Sequence, residues 1–190
     1  MKAELLILGV LHRGSFHPYE IKKRLRNAAV ECHMDVDVGT LYYAIRQLAQ
    51  DGLITPVTRE RVTRGGVRTV YGITAKGRRR FQALLHAQFE APGPVAQTLY
   101  GAMLFLHLAD PVRVAELLRR KIEEQTAGIQ ELAVVRKQLS SVLSSGGLHL
   151  IKHLTLQRRL DRRWLQGLLA DVAAGRVRDV PDPSLLAADR

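Results

Sequence analysis

Residues 59–74, RERVTRGGVRTVYGIT, place two runs rich in Val, Thr and Tyr on either side of a Gly-Gly pair. Gly65 and Gly66 can take the positive φ angles of a tight turn, and the flanking residues favour extended backbone. The spacing therefore predicts a hairpin with strands over 53–62 and 67–73. This hairpin sits in a chain whose other periodic segments read as helices. Arg59, Arg61, Arg64 and Arg68 crowd onto or beside it, where their repulsion favours dispersal into water unless something negative lies opposite.

Three helices are predicted ahead of the hairpin. Residues 3–12 are too densely apolar for an exposed surface, and Gly14-Ser15 stops them. In HPYEIKKRLRNAA, Pro18 suits a first helical turn and Ile21 and Leu25 share a face, leaving Lys22, Lys23 and Arg26 on the others. Residues 30–38 lack periodicity. In GTLYYAIRQLAQDGLI, Leu41, Ala44, Ile45 and Leu48 form one stripe and Asp51-Gly52 ends it, with Thr40, Tyr43, Arg46, Gln47 and Gln50 mostly opposite. After the hairpin, Thr74 is placed to cap a fourth helix beginning AKGRRRF.

EAPGPVAQ marks a joint at residues 91–95, beyond which the chain reads as helix only. A short apolar helix over 97–109 precedes Asp110-Pro111, a cap and first-turn pair. A long amphipathic run over 112–143 follows. It carries a seam of Ala115, Leu118, Ile122, Ile129, Leu132, Leu139 and Leu143 that Gln125 and Arg136 interrupt. SSGG breaks the chain, and a second long helix over 148–172 can fold back antiparallel. Two such helices bury too little alone, so this unit is expected to pack against a second copy of the chain.

The formal charge of +11 and the pI near 10.4 point to an anionic partner. Residues 1–90 hold 15 Lys and Arg against 8 Asp and Glu, and residues 91–190 hold 14 against 10, so the excess leans towards the half with the hairpin. Cys32 is the one cysteine, which excludes an internal disulfide and suits a reducing cytoplasm. No uninterrupted apolar run of about 18 residues exists, so no membrane partner is expected. The N-terminus reads as mature sequence.

Three short helices followed by a hairpin is the order of a winged helix-turn-helix. There the third helix enters the major groove of double-stranded DNA and the hairpin lies along the neighbouring backbone or minor groove. In that frame Arg61, Arg64 and Arg68 on the wing face phosphates, as do Lys22 and Lys23 on the second helix. Arg46 and Gln47 suit groove reading, since Arg pairs with guanine and Gln with adenine.

Three blocks, LLILGVLHRGSFHPYEIKKRL, VGTLYYAIRQLAQDGLI and VYGITAKGRRRF, then resemble the successive signatures of PadR-type transcriptional regulators, in order across residues 4–85. The resemblance places Thr40, Tyr42 and Tyr43 at the start of the recognition helix. It departs at Pro18, where the family usually has glycine, at Tyr43, often proline, and at Gly72, commonly arginine. Trp164 in LDRRWLQGLL is similar to the last dimerisation helix of the longer members. Packing in the dimer core is the expected role of Trp164, Tyr100 and Phe105, since large aromatics dominate interfaces by buried area; the resemblance implies the alternative, an aromatic wall for a small flat effector.

Other readings carry less. Tyr19 and Tyr71 are expected to pack rather than to stack on bases. Arg78, Arg79 and Arg80 at a helix start suit either a bound phosphate or a solvated face. Cys32, His33, His12 and His17 lack metal-ligand spacing, so no metal is expected, and neither a cofactor nor catalytic residues are indicated.

The sequence thus predicts a mainly α chain. Residues 1–90 form an N-terminal winged helix-turn-helix with a small β-hairpin wing, residues 96–174 a C-terminal long-helix dimerisation arm, and residues 175–190 a flexible tail. The expected function is a cytoplasmic, homodimeric, sequence-specific DNA-binding regulator, a repressor on an inverted repeat that a small effector releases. The competing readings are a winged-helix protein-interaction adaptor and a nonspecific architectural DNA binder.

Overall fold

The computed structural model describes residues 2–27, 38–61, 67–93 and 95–178. The aperiodic segment 30–37, Arg64, the Gly65-Gly66 turn and the tail from 179 onward lie outside the described residues.

The N-terminal elements follow the predicted order. Helix α1 is Lys2–Leu11, α2 Pro18–Asn27 and α3 Val38–Gln50; strands β1 Ile54–Arg61 and β2 Val67–Ile73 pair antiparallel, and α4 spans Ala75–Glu90. Every residue from Leu5 to Leu8 of α1 is fully buried, because this helix is apolar all round and packs against α2, α3, α4 and β2. Ile21 and Leu25 of α2, Leu41, Ile45 and Leu48 of α3, and Phe81, Leu84, Leu85 and Phe89 of α4 complete the core. With about 1.5–3 kcal/mol of transfer free energy for each fully buried large side chain, this core is the main source of the unit's stability.

Two features of the wing are tertiary. Phe16 bridges to Tyr71 through paired backbone hydrogen bonds of 3.0 Å, a single-residue antiparallel bridge beside the two-stranded sheet. A bulge between Pro56 and Thr58 leaves Val57 unpaired and exposed. Tyr71 is half-buried in that bridge, but Tyr19 is exposed. The expected packing of Tyr19 fails because it stands 200° around α2 from Ile21, on the face away from the core.

Helix α5 spans Val95–Met103, and a 3₁₀ turn follows at Leu106–Leu108. Both belong by contact to the first unit, which ends at Ala109, and α5 packs on α4 and α1. The structural division therefore falls fourteen residues or more beyond the Pro-rich joint, at the Asp110 cap. Phe105 is buried in this unit with its ring edge-on to Phe81, centroids 5.8 Å apart.

The second unit is an antiparallel pair, α6 Pro111–Leu139 and α7 Ser145–Ala173. Asp110 caps α6, its carboxylate accepting from Val112 N at 3.0 Å, with Pro111 at the first helical position. The break lies at 140–144, earlier than SSGG suggests. Ser144 accepts from Gly147 N at 3.3 Å, so the two glycines fall inside the first turn of α7. Of the predicted seam, Ala115 and Leu118 are buried, Ile122, Ile129, Leu132 and Leu143 are half-buried, and Leu139 is exposed. The interrupting Gln125 is buried and accepts from Arg158 Nη1 at 3.3 Å. Among the described residues no helix is long and apolar enough to cross a membrane.

Candidate nucleic-acid interface

With Leu41, Ile45 and Leu48 buried, α3 leaves Tyr43, Arg46, Gln47 and Gln50 on one exposed stripe at spacings of three, four and seven. Tyr43 is 65% exposed, and Tyr42, beside Arg46, is 38% exposed. Thr40 lies in the first turn of the same helix. The stripe holds phenol, guanidinium and carboxamide groups, a donor-rich set that suits phosphates and base edges. Gln47 Nε2 donates to Asp51 Oδ1 at 3.2 Å, so its amide is held along the helix and must swing to reach another acceptor.

The helix ends in a defined way. Gly52 takes φ of 67°, Leu53 N donates to Leu48 O at 2.9 Å and Gly52 N to Ala49 O at 3.1 Å, which together make a Schellman motif. Thr74 N donates to the Leu53 carbonyl at 3.1 Å. The Thr74 hydroxyl accepts from Gly77 N at 3.0 Å and lies 2.9 and 3.0 Å from the carbonyl oxygens of Gly52 and Leu53, donating to one of them. Lys76 Nζ adds a bond to the Asp51 carbonyl at 2.7 Å. The exit of the exposed helix and the exit of the wing are thereby tied to one another, which fixes β2 relative to the α3 face.

The wing residues are placed by register. Arg59 stands across from Thr69, Glu60 from Arg68 and Arg61 from Val67. Arg68 is exposed. Arg61 closes β1, and Arg64 lies outside the described residues. On α2, Lys22 and Lys23 are half-buried. Arg24, which the sequence reading passed over, lies 4.1 Å over the Phe16 ring. Nothing local marks that contact, since Phe16 comes into reach only through its bridge to Tyr71.

Two of the departures from the family pattern have a physical setting. A Cβ at Gly72 would lie 2.8 Å from both Ser15 Oγ and Val57 Cγ2, so a side chain at that point of β2 would displace the bulged strand or the Ser15 loop. Tyr43 is simply solvent-facing. The arginine run at the start of α4 is divided: Arg80 pairs with Glu4 at 2.8 Å, Arg78 donates to His12 at 3.2 Å, and Arg79 is exposed.

The aromatic residues considered for an effector do not form one group within a unit. Tyr100, 44% exposed, and buried Phe105 belong to the first unit, and Trp164, 42% exposed on α7, belongs to the second. Among the described residues no group of three or more His, Cys, Asp or Glu could hold a metal ion, and Cys32 and His33 fall outside them.

Residues 7–83 match the Transcriptional regulator PadR-like family. No match was found among curated proteins. Solved structures similar to the chain include PadR of Bacillus subtilis in complex with operator DNA, at 16% identity over 89% of this chain and 98% of that one, with a TM-score of 0.40. They also include smu.1604c of Streptococcus mutans UA159, at 22% identity over 90% and 99%, TM-score 0.41. A third is the PadR-like regulator BC1756 of Bacillus cereus, at 20% identity over 91% and 99%, TM-score 0.37. The three sequence blocks and the helix and wing order built from them coincide with the segment, residues 7–83, that matches the PadR-like family model.

Proposed function

We propose that the protein is a sequence-specific double-stranded DNA-binding repressor that acts as a homodimer on an inverted-repeat operator. The observation that carries this reading is the α3 stripe: four polar or aromatic side chains on a helix whose other face is buried and whose end is tied to the wing. Tyr43, Arg46 and Gln47 would face the major groove, with Thr40 and Tyr42 at its edge. Lys22, Lys23, Arg61, Arg64 and Arg68 would lie along phosphates. Residues 1–90 are the DNA-binding part in this account and residues 96–174 the dimerisation arm.

An apolar surface supports the dimer. Leu156, Leu160 and Trp164 lie at spacings of four on α7 and all are exposed in the single chain, as are Leu150, Leu154, Val134, Val135 and Leu139. A face of this kind is costly to leave in water and suits burial against a second copy. A two-fold dimer sets its recognition helices about 34 Å apart on one face of DNA, hence the inverted repeat. PadR of Bacillus subtilis has been crystallised with p-coumaric acid. By analogy a small aromatic effector here would lie against Trp164, and it releases DNA only by binding the DNA-incompetent dimer more tightly than the competent one.

The test is duplex binding by Arg46→Ala, Gln47→Ala and Arg68→Ala chains across several salt concentrations. The reading predicts that the two helix variants relax sequence preference by about 1–3 kcal/mol each, and that Arg68→Ala weakens all duplexes with a salt slope shallower by about one. Unchanged binding in all three variants would favour a protein-interaction adaptor.

A further inference from the structure

We propose that His12, Arg13, Arg78 and His107 form a binding site for a small oxyanion (a carboxylate, phosphate or sulfate) on the first unit, strengthened when the imidazoles take up protons. The four residues come from three elements: His12 and Arg13 just past the end of α1, Arg78 in the first turn of α4, and His107 in the 3₁₀ turn. Arg78 Nη1 lies 3.2 Å from His12 Nδ1, and Arg13 Nη2 lies 3.5 Å from His107 Nε2. The two imidazoles are close enough to repel one another when charged. The site is thus two exposed guanidinium groups over two half-buried imidazoles.

Among the described residues no carboxylate pairs with any of the four. The nearby acid on α1, Glu4, is engaged by Arg80 at 2.8 and 3.2 Å. Arginine can only donate, so each histidine must offer a ring lone pair, which leaves His12 with a proton on Nε2. That atom is buried against the Phe81 ring, centroids 4.5 Å apart, with no hydrogen-bond partner. Burial and Arg78, then His107, hold His12 below its ordinary value, and burial and Arg13 do the same for His107. Two guanidinium groups whose partners here are neutral imidazoles and not carboxylates keep charge and donors that an oxyanion can take up, and bidentate geometry favours a planar or tetrahedral one. The first turn of α4 adds a favourable dipole beside Arg78.

The experiment follows thermal unfolding of the full chain with sodium sulfate against sodium chloride at matched ionic strength, at pH 6 and pH 8, where sulfate keeps the same charge. It compares the natural sequence with Arg13→Gln/Arg78→Gln and with single Arg13→Gln, all at exposed positions. The expected result is a sulfate-specific rise in Tm of about 3 °C at pH 6, smaller at pH 8 and absent in the double variant. A rise shared equally by the double variant is general salting and overturns the site, and a rise equal at both pH values removes the histidines from it. A second arm titrates a duplex: unchanged affinity in the double variant assigns the site to a free oxyanion, and weaker affinity with a shallower salt slope assigns it to DNA phosphate. No sulfate-specific rise in the natural sequence overturns the proposal whatever the duplex does.

Discussion

Gly77, in the first turn of α4, presses so closely on Leu53 that a Cβ there would overlap the Leu53 carbonyl oxygen. The obstacle is backbone that already accepts from Thr74 N, so it cannot rotate away as a side chain would. Gly77→Ala is expected to destabilise the first unit by about 2–3 kcal/mol or more and to weaken duplex binding through the displaced wing. Urea unfolding of the variant, read alongside anisotropy, checks both effects.

Thr74 makes the same junction through its hydroxyl. Thr74→Val removes the cap on Gly77 N and the donor to the α3 exit, and a loss of about 1–2 kcal/mol is expected; Thr74→Ser should retain most of it. Equal stability of the two variants in chemical denaturation would contradict this role.

Acid should loosen the first unit. Both His12 and His107 are held below the ordinary value of 6.5, so below that pH the unfolded chain binds protons that the folded chain refuses. Their contribution is complete above pH 6.5 and is lost as pH falls towards the depressed folded values. Tm measured from pH 8 to pH 5 in chloride should fall below about pH 6.5, and His12→Gln/His107→Gln should flatten that fall.

The buried polar pair in the second unit should show non-additivity. Arg158→Met leaves Gln125 Oε1 without its 3.3 Å donor and is expected to cost about 1–3 kcal/mol, whereas adding Gln125→Leu restores much of it. A double-mutant cycle by thermal unfolding decides the point. Asp161 is pushed up by burial, an effect that Arg158 partly offsets, so removing Arg158 should raise it further.

Self-association is tested on α7. Leu160→Glu/Trp164→Glu places charge on the exposed stripe and should convert a dimer to a monomer in light scattering while helix content holds. A dimer that survives both charges would remove this face from the interface.

What the sequence made legible was local. The α3 stripe, the Thr74 cap and the Asp110-Pro111 start of α6 each depend on residues within about one helical turn, so periodicity and capping chemistry suffice to find them. Long-range pairings left no such trace. Arg80 meets Glu4 across 76 positions and Arg78 meets His12 across 66, and the charge run alone could not distinguish these from a solvated face. The Phe16–Tyr71 bridge and the Val57 bulge arise from tertiary pairing, and Gly77 was visible only as a motif residue until the Leu53 carbonyl supplied its reason. Pro and Gly at 92–94 marked a joint by composition, but the apolar faces of α5 and the 3₁₀ turn carry the first unit on to Ala109.

The most direct measurement is anisotropy binding of the purified full chain to the duplex immediately upstream of its own gene, against a scrambled duplex, at two salt concentrations. The account predicts a preference for the upstream duplex that survives the higher salt, because base contacts from the α3 stripe outlast phosphate screening. Equal, salt-sensitive binding to both duplexes, or no binding to either, would contradict it.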